Sequence, residues 1–176
     1  GMKTLIFNGS ARKNGETQSM IDALTAQLEG EYKVVNAHSC NVRACIDCRY
    51  CWEHPECSIR DGWQEIDSYL RECDNVVIAS PVYFCEITGP VLSVLSRIQV
   101  YWAAKTFRHE KLLEKPKRGG MILLGGGGLA AVWQLKPELL EVFSAVGQSD
   151  AQEPGSADEN PAPEEGSDAA PQNQYP

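Results

Sequence analysis

Lys3-Thr4-Leu5-Ile6-Phe7-Asn8-Gly9-Ser10-Ala11-Arg12-Lys13-Asn14-Gly15-Glu16-Thr17 is the stretch that decides the fold. Residues 3–8 read as a buried strand, with three consecutive apolar side chains at its centre. A helical pattern follows from Thr17 to Leu28, where Met20, Ile21, Leu24 and Leu28 fall on one face at three- and four-residue spacing. The polar loop between strand and helix has the composition of an anion site. Ser10 and Thr17 offer hydroxyls, Arg12 a guanidinium and Asn14 an amide, while Gly9 and Gly15 remove Cβ atoms where the chain must approach a ligand. A helix N-terminus adds backbone N–H donors and a favourable dipole, so a phosphate fits there. The competing reading is an ordinary polar strand-to-helix connection.

Outward from this unit the pattern repeats. Tyr32–Val35 is a short second strand. Trp63, Ile66, Tyr69 and Leu70 mark a second helix, with Asp61 as its N-cap. Asn75–Ala79 is a third strand ending at Ser80-Pro81, and Val91, Leu92, Val94, Leu95 and Ile98 give a third helix with Pro90 in its first turn. Gly120–Leu124 is a fourth strand that stops at Gly125-Gly126-Gly127-Gly128. Strands that are continuously apolar and alternate with helices predict an α/β fold, a parallel sheet covered on both faces. Beyond Gly128, Ala130–Leu140 is read as a helix that Pro137 ends, and Glu141–Val146 as a fifth strand.

Between the second strand and the second helix lies a cysteine-rich loop over residues 40–60. Cys45, Cys48, Cys51 and Cys57 form a C-x2-C-x2-C-x5-C run. Three thiolates two residues apart can wrap one face of a cubane, and a fourth can close it, so an iron–sulfur cluster is the first reading. Zinc is the second, although structural zinc sites usually pair two C-x2-C units across a wider gap. Metal-free thiols, as disulfides or a redox relay, are the third. Cys40, Cys73 and Cys85 lie outside the run and read as small buried hydrophobes.

The formal charge of −8 over 176 residues is unevenly placed. Seven acidic and no basic residues fall in 148–176, leaving 17 acidic against 16 basic over 1–147. We therefore divide the chain into a globular domain at 1–147 and an acidic, proline-rich tail at 148–176, which by composition should lack its own core. A near-neutral domain with an acidic tail argues against nucleic acid as a partner. No run of eighteen apolar residues predicts a membrane span. Gly1 ahead of Met2 is set aside, and the opening residues show no apolar leader stretch. Seven cysteines without one lead us to expect reduced thiols in a cytoplasmic protein.

Three of these features together resemble the flavodoxin-like NAD(P)H-dependent FMN reductases, in their iron–sulfur flavoprotein branch. Gly9-Ser10-x-Arg12-x-x-Gly15-x-Thr17 is similar to their phosphate loop. Ser80-Pro81-Val82-Tyr83, with Gly89-Pro90 behind it, is similar to the loop they lay against the flavin ring. The cysteine run sits where the branch carries its own. The resemblance spans roughly residues 3–128 and implies a doubly wound sheet of order 2-1-3-4-5 with FMN at the carboxyl ends of the strands. It implies that Ser10, Arg12, Asn14, Gly15 and Thr17 hold the phosphate, and that Ser80, Pro81, Val82, Tyr83 and Phe84 line the isoalloxazine ring. Gly125, Gly126 and Gly127 would approach that ring from the fourth strand, and Cys45, Cys48, Cys51 and Cys57 would bind a [4Fe–4S] cluster. The chemistry would be carried by the flavin, with no catalytic side chain. The implied partners are NAD(P)H or a redox protein as electron donor or acceptor, in a homo-oligomer, dimer or tetramer. The end of the chain departs from the family pattern, with the last strand and helix shortened or replaced by the tail.

The remaining motifs are read plainly. Gly125-x-Gly127-x-x-Ala130 formally fits a dinucleotide fingerprint but follows the wrong strand. His38, His54 and His109 are read as surface residues, and Trp102 and Trp133 as core or dimer packing. Lys105, Arg108, Lys111, Lys115, Lys117 and Arg118 are read as a solvated basic face.

Overall fold

The computed structural model describes the backbone of residues 1–126 and 128–133, and side chains through residue 126. Strand β1 (Lys3–Asn8) leads into helix α1 (Glu16–Gln27), and β2 (Glu31–Asn36) into the cysteine loop. Helix α2 (Trp63–Glu72), β3 (Asn75–Pro81), α3 (Gly89–Leu95) and β4 (Arg118–Gly125) follow. After α3 the chain keeps turning through a 3-10 turn (Ser96–Ile98), helix α4 (Gln99–Ala103) and a π turn (Ala104–Arg108), which His109 closes in the left-handed region at φ 57°.

The sheet order is β2-β1-β3-β4-β5, and the first four strands run parallel. Side chains alternate across the sheet, and β1 shows why its strand is continuously apolar. Leu5 and Phe7 pack with Trp63, Ile66 and Leu70 of α2 and with Val91 and Val94 of α3. Ile6 packs on the opposite face with Met20, Ile21 and Leu24 of α1, beside Val77, Ala79, Ile122 and Leu124. Helices on both faces make the doubly wound sheet that the sequence predicts.

The fifth strand differs from the expectation. β5 (Gly128–Trp133) pairs antiparallel with β4, with a register shift between Leu123 and Leu124. Residues 130–133, read from sequence as the start of a helix, are therefore strand. Only two positions, 126 and 127, separate the strands, and a two-residue glycine connection is the length of a hairpin loop. Gly127, residues 134–140 of the expected helix, the strand expected at 141–146 and the 148–176 tail lie outside the described residues, as does the side chain of Trp133.

Candidate functional site

The strand order reverses between β1 and β3, because β1 has parallel partners on both sides, β2 on one and β3 on the other. In open α/β sheets the crevice outside the carboxyl ends at such a point is where ligands bind. The β1–α1 loop, the β3–α3 loop and the end of β4 all meet here. Asn8 lies beside Ala79, and Pro81 beside Leu124.

The polar loop is built by local hydrogen bonds. Ser10 N–H donates to Asn8 Oδ1 at 2.9 Å, and Arg12 N–H to Ser10 Oγ at 3.1 Å. Residues 11–14 are exposed, Ser10 and Gly15 half-buried, and Thr17 buried in the first turn of α1. The Gly9 carbonyl receives two side chains from elsewhere. Thr88 Oγ1, buried ahead of α3, donates to it at 2.8 Å, and His38 Nε2 lies 3.1 Å from it. Thr88 N–H in turn donates to Ser80 Oγ at 3.1 Å. Thr88 thus ties the polar loop to Ser80 and was not singled out in the sequence, while His38, read there as a surface residue, is exposed and also reaches the loop. Thr88 carries no motif of its own, and its role depends on a partner 79 positions away.

Beyond Ser80 the chain makes a tight hairpin in which Tyr83 and Glu86 exchange backbone hydrogen bonds. Phe84 and Cys85 at its tip have φ 52° and 65°. Left-handed backbone at two consecutive non-glycine residues is costly and concentrates at functional loops. Tyr83 is 56% exposed and Phe84 fully so. A bare aromatic pair beside a polar loop at the switch point suits a flat ring with a phosphate tail, so the residues present fit FMN. Pro81 and Val82 are half-buried, and Val82 N–H donates to Leu124 O at 2.8 Å. Gly125 ends β4 at the same rim, with Gly126 exposed beyond it. The expectation that Cys85 is buried is overturned, because the turn lifts it into solvent, and Cys40 is only half-buried. Cys73 is buried as expected.

The cysteine loop leaves the same rim from β2. All seven cysteines are free thiols. Cys45, Cys48, Cys51 and Cys57 line one concavity together with Arg97 and Trp52. The Ser58 hydroxyl holds the exposed Cys48 thiol below its usual range, while burial pushes Cys51 up. Among the described residues no three His, Cys, Asp or Glu side chains converge on a single-ion position. A zinc ion with Zn–S of about 2.3 Å would need its thiolates within about 3.8 Å of one another. A cubane, several ångström across, holds them farther apart.

Two arginines fasten the loop. Arg97 is 1% exposed, and its Nη1 and Nη2 donate to the carbonyls of Arg43 (2.9 Å) and Ile59 (3.0 Å), one on each side of the cysteine run. Nη1 also pairs with Asp61 Oδ2 at 2.9 Å, and Asp61 in turn receives the N–H groups of Arg43 and Trp63, each at 2.9 Å. Gln64 Oε1 accepts from Asp61 N–H at 2.8 Å, and the N-cap of α2 is Gly62, so the N-cap expected at Asp61 falls one residue ahead of it and holds the Trp63 amide from there. Burial pushes the Asp61 carboxyl up, but the Arg97 guanidinium and the two amides outweigh it and hold the group below its usual range. Arg97 Nε has no hydrogen-bond partner among the described residues. An unpartnered buried cationic N–H in the wall of a four-thiol concavity fits an anionic thiolate-bound group. Arg108 donates to the Cys51 carbonyl, Trp52 stacks on Phe107 at 4.2 Å, and Cys45 N–H donates to Ser96 Oγ at 2.8 Å. Arg108 and Lys117, which bonds the carbonyls of Arg71 and Cys73, are therefore anchors rather than members of a solvated face. Trp102 is half-exposed against Phe107, and His54 is half-buried, stacked on Tyr50 at 3.9 Å.

Comparison with known proteins agrees with this geometry. The model of the NADPH-dependent FMN reductase family matches residues 2–152. An iron-sulfur flavoprotein of Archaeoglobus fulgidus is 32% identical over 72% of this chain and 56% of its own length. An iron-sulfur flavoprotein of Methanosarcina thermophila is 25% identical over 93% of this chain and 86% of its own. The chain spans about half the length of the first curated relatives it matches. Among solved structures, the NAD(P)H:quinone oxidoreductase from Methanothermobacter marburgensis superposes with a TM-score of 0.60 at 12% identity, over 83% of this chain and 73% of that one. RosB with bound 8-demethyl-8-formylriboflavin-5'-phosphate gives 0.57 at 22% identity, over 84% and 60%. These likenesses speak for the fold. With the family model matching most of its length, the chain belongs to the NADPH-dependent FMN reductase family, in the iron–sulfur flavoprotein branch.

Proposed function

We propose that this protein is an FMN-dependent oxidoreductase whose four-cysteine loop carries a [4Fe–4S] cluster. One observation carries the reading. The four thiols line a single concavity on a loop that starts at the same sheet rim as the polar β1–α1 loop, and His38, at the head of that loop, reaches the Gly9 carbonyl. Bound FMN supplies two-electron hydride chemistry with single-electron release, and a cluster supplies one-electron transfer.

The chain's residues bind and orient. Ser10, Arg12, Asn14, Gly15 and Thr17 hold the phosphate with hydroxyl, guanidinium, amide and backbone donors at the start of α1. Ser80, Pro81, Val82, Tyr83 and Phe84 flank the ring, and Gly125, Gly126 and Gly127 leave room for it at the end of β4. Cys45, Cys48, Cys51 and Cys57 are the cluster thiolates. NAD(P)H or a small redox protein is the electron partner, and the working unit is a homo-oligomer in the cytoplasm. Among the described residues no helix is long and apolar enough to cross a membrane.

The family's name favours a second reading, an NAD(P)H-dependent FMN or quinone reductase with no cluster. Full-length protein isolated without oxygen separates the two. We expect flavin bands together with the broad absorption and iron content of a cluster, and we expect Cys48→Ala to lose the iron while keeping the flavin. Flavin without iron in the wild type selects the second reading. Failure to bind FMN overturns both.

A further inference from the structure

The sequence marks the four cysteines but gives no hint of what balances their charge. Four thiolates around a cluster make an anion, and each electron added to it adds a further negative charge. Arg97 is the buried cation of this site. It lines the concavity with all four cysteines, whereas its partner Asp61 does not, so the positive end of the pair faces the thiols. Two of its N–H groups are spent on the carbonyls of Arg43 and Ile59 at the two feet of the loop, and its Nε remains unpartnered. Its guanidinium carbon stands 5.6 Å from the Trp63 ring centroid, which helps fix its plane.

We propose that Arg97 is a positioning residue for the cysteine site, closing the feet of the loop and serving as the counter-charge that favours the reduced state of the group the thiolates hold. This rests on the cluster reading above. A cation fixed beside a redox group in a low-dielectric wall stabilises its more negative form and raises its potential. Charge and geometry separate by substitution. Arg97→Lys keeps the charge and loses the fork that spans both carbonyls. Arg97→Met with Asp61→Asn removes the oriented pair without leaving one buried charge uncompensated.

The test is anaerobic reconstitution of the full chain with ferrous iron and sulfide. Iron per chain is measured, and then the midpoint potential of the cluster signal by redox titration. The wild type and R97K are expected to hold iron at similar potentials. The R97M/D61N protein is expected to shift its one-electron reduction equilibrium at least about tenfold toward the oxidised form, ~59 mV more negative, or to lose iron that R97K retains. An unchanged potential with full iron in R97M/D61N overturns the proposal and leaves the cluster reading standing. Loss of iron in R97K as well overturns the charge role, since only the fork then matters. A wild type that takes up no iron removes the cluster reading, and the proposal falls with it.

Discussion

At the residue scale, Gly9 shows how close the β1–α1 loop approaches the end of β3 and the start of α3. A Cβ placed there would lie 2.5 Å from Ser80 Oγ and 2.7 Å from Val91 Cγ2. Neither neighbour can yield cheaply. Ser80 Oγ accepts from Thr88 N–H and donates to the Pro81 carbonyl, and Val91 is fully buried in the α3 face of the core. Gly9→Ala should therefore cost about 1–3 kcal/mol through overpacking, and, on the proposed placement of FMN against the Ser80–Phe84 loop, should weaken FMN binding by displacing Ser80. Urea unfolding with a parallel FMN titration measures both, and an unaltered unfolding midpoint would show that the contact is soft. Thr88 makes the companion case. Thr88→Val keeps the shape but strips the donor from the Gly9 carbonyl, leaving His38 as its side-chain partner. The expected loss is about 1 kcal/mol of stability with a weakened grip on FMN, and FMN affinity equal to wild type would detach Thr88 from the site.

At the element scale, the parts legible in sequence are those governed by local chemistry. β1, β3 and β4 are apolar runs because parallel strands are buried on both faces, and Asp61 announces α2 because a carboxylate two positions ahead can take the Trp63 amide. Arg97 was not legible. Between Ser96 and Ile98 it looks like any solvated helix residue, and its burial is decided by carbonyls 54 and 38 positions away. The alanines of 130–131 suggested a helix, and the two-residue glycine connection overrode them by folding the chain back on β4. The Phe84-Cys85 tip is likewise a tertiary choice, since neither residue favours the left-handed region. That strain makes a prediction. Asn-Gly is the pair such a turn favours, so replacing Phe84 by Asn and Cys85 by Gly should raise stability by about 1 kcal/mol. It should also weaken FMN binding, because the exposed ring of Phe84 is lost. Chemical denaturation and flavin titration on one protein sample read both effects, and a protein that becomes no more stable refutes the strain.

At the scale of the whole molecule, one buried ion pair joins parts of the chain that the sheet alone would not hold together. Asp61 and Arg97 connect the cysteine loop, the start of α2 and the helical stretch after α3, with side chains 5% and 0% exposed. Asp61's carboxyl is held below its unfolded value. Its contribution is therefore fully present at neutral pH and is lost as pH falls through the folded value, below about pH 4. The carboxyls of Glu56, Glu65, Glu72 and Asp74 are also held low by their hydrogen-bond partners, but they lie at the surface, where solvent and salt screen such pairs. The acid limb of stability should thus belong mainly to Asp61. Asp61→Asn leaves Arg97 buried without its partner and should cost about 3–5 kcal/mol at pH 7. As the pH falls below about 4 and the wild-type carboxylate is protonated, the two proteins approach the same state, so their urea stabilities should converge there. A gap that stays constant over that range would mean that another group carries the acid sensitivity, and that the loop is anchored without its buried charge.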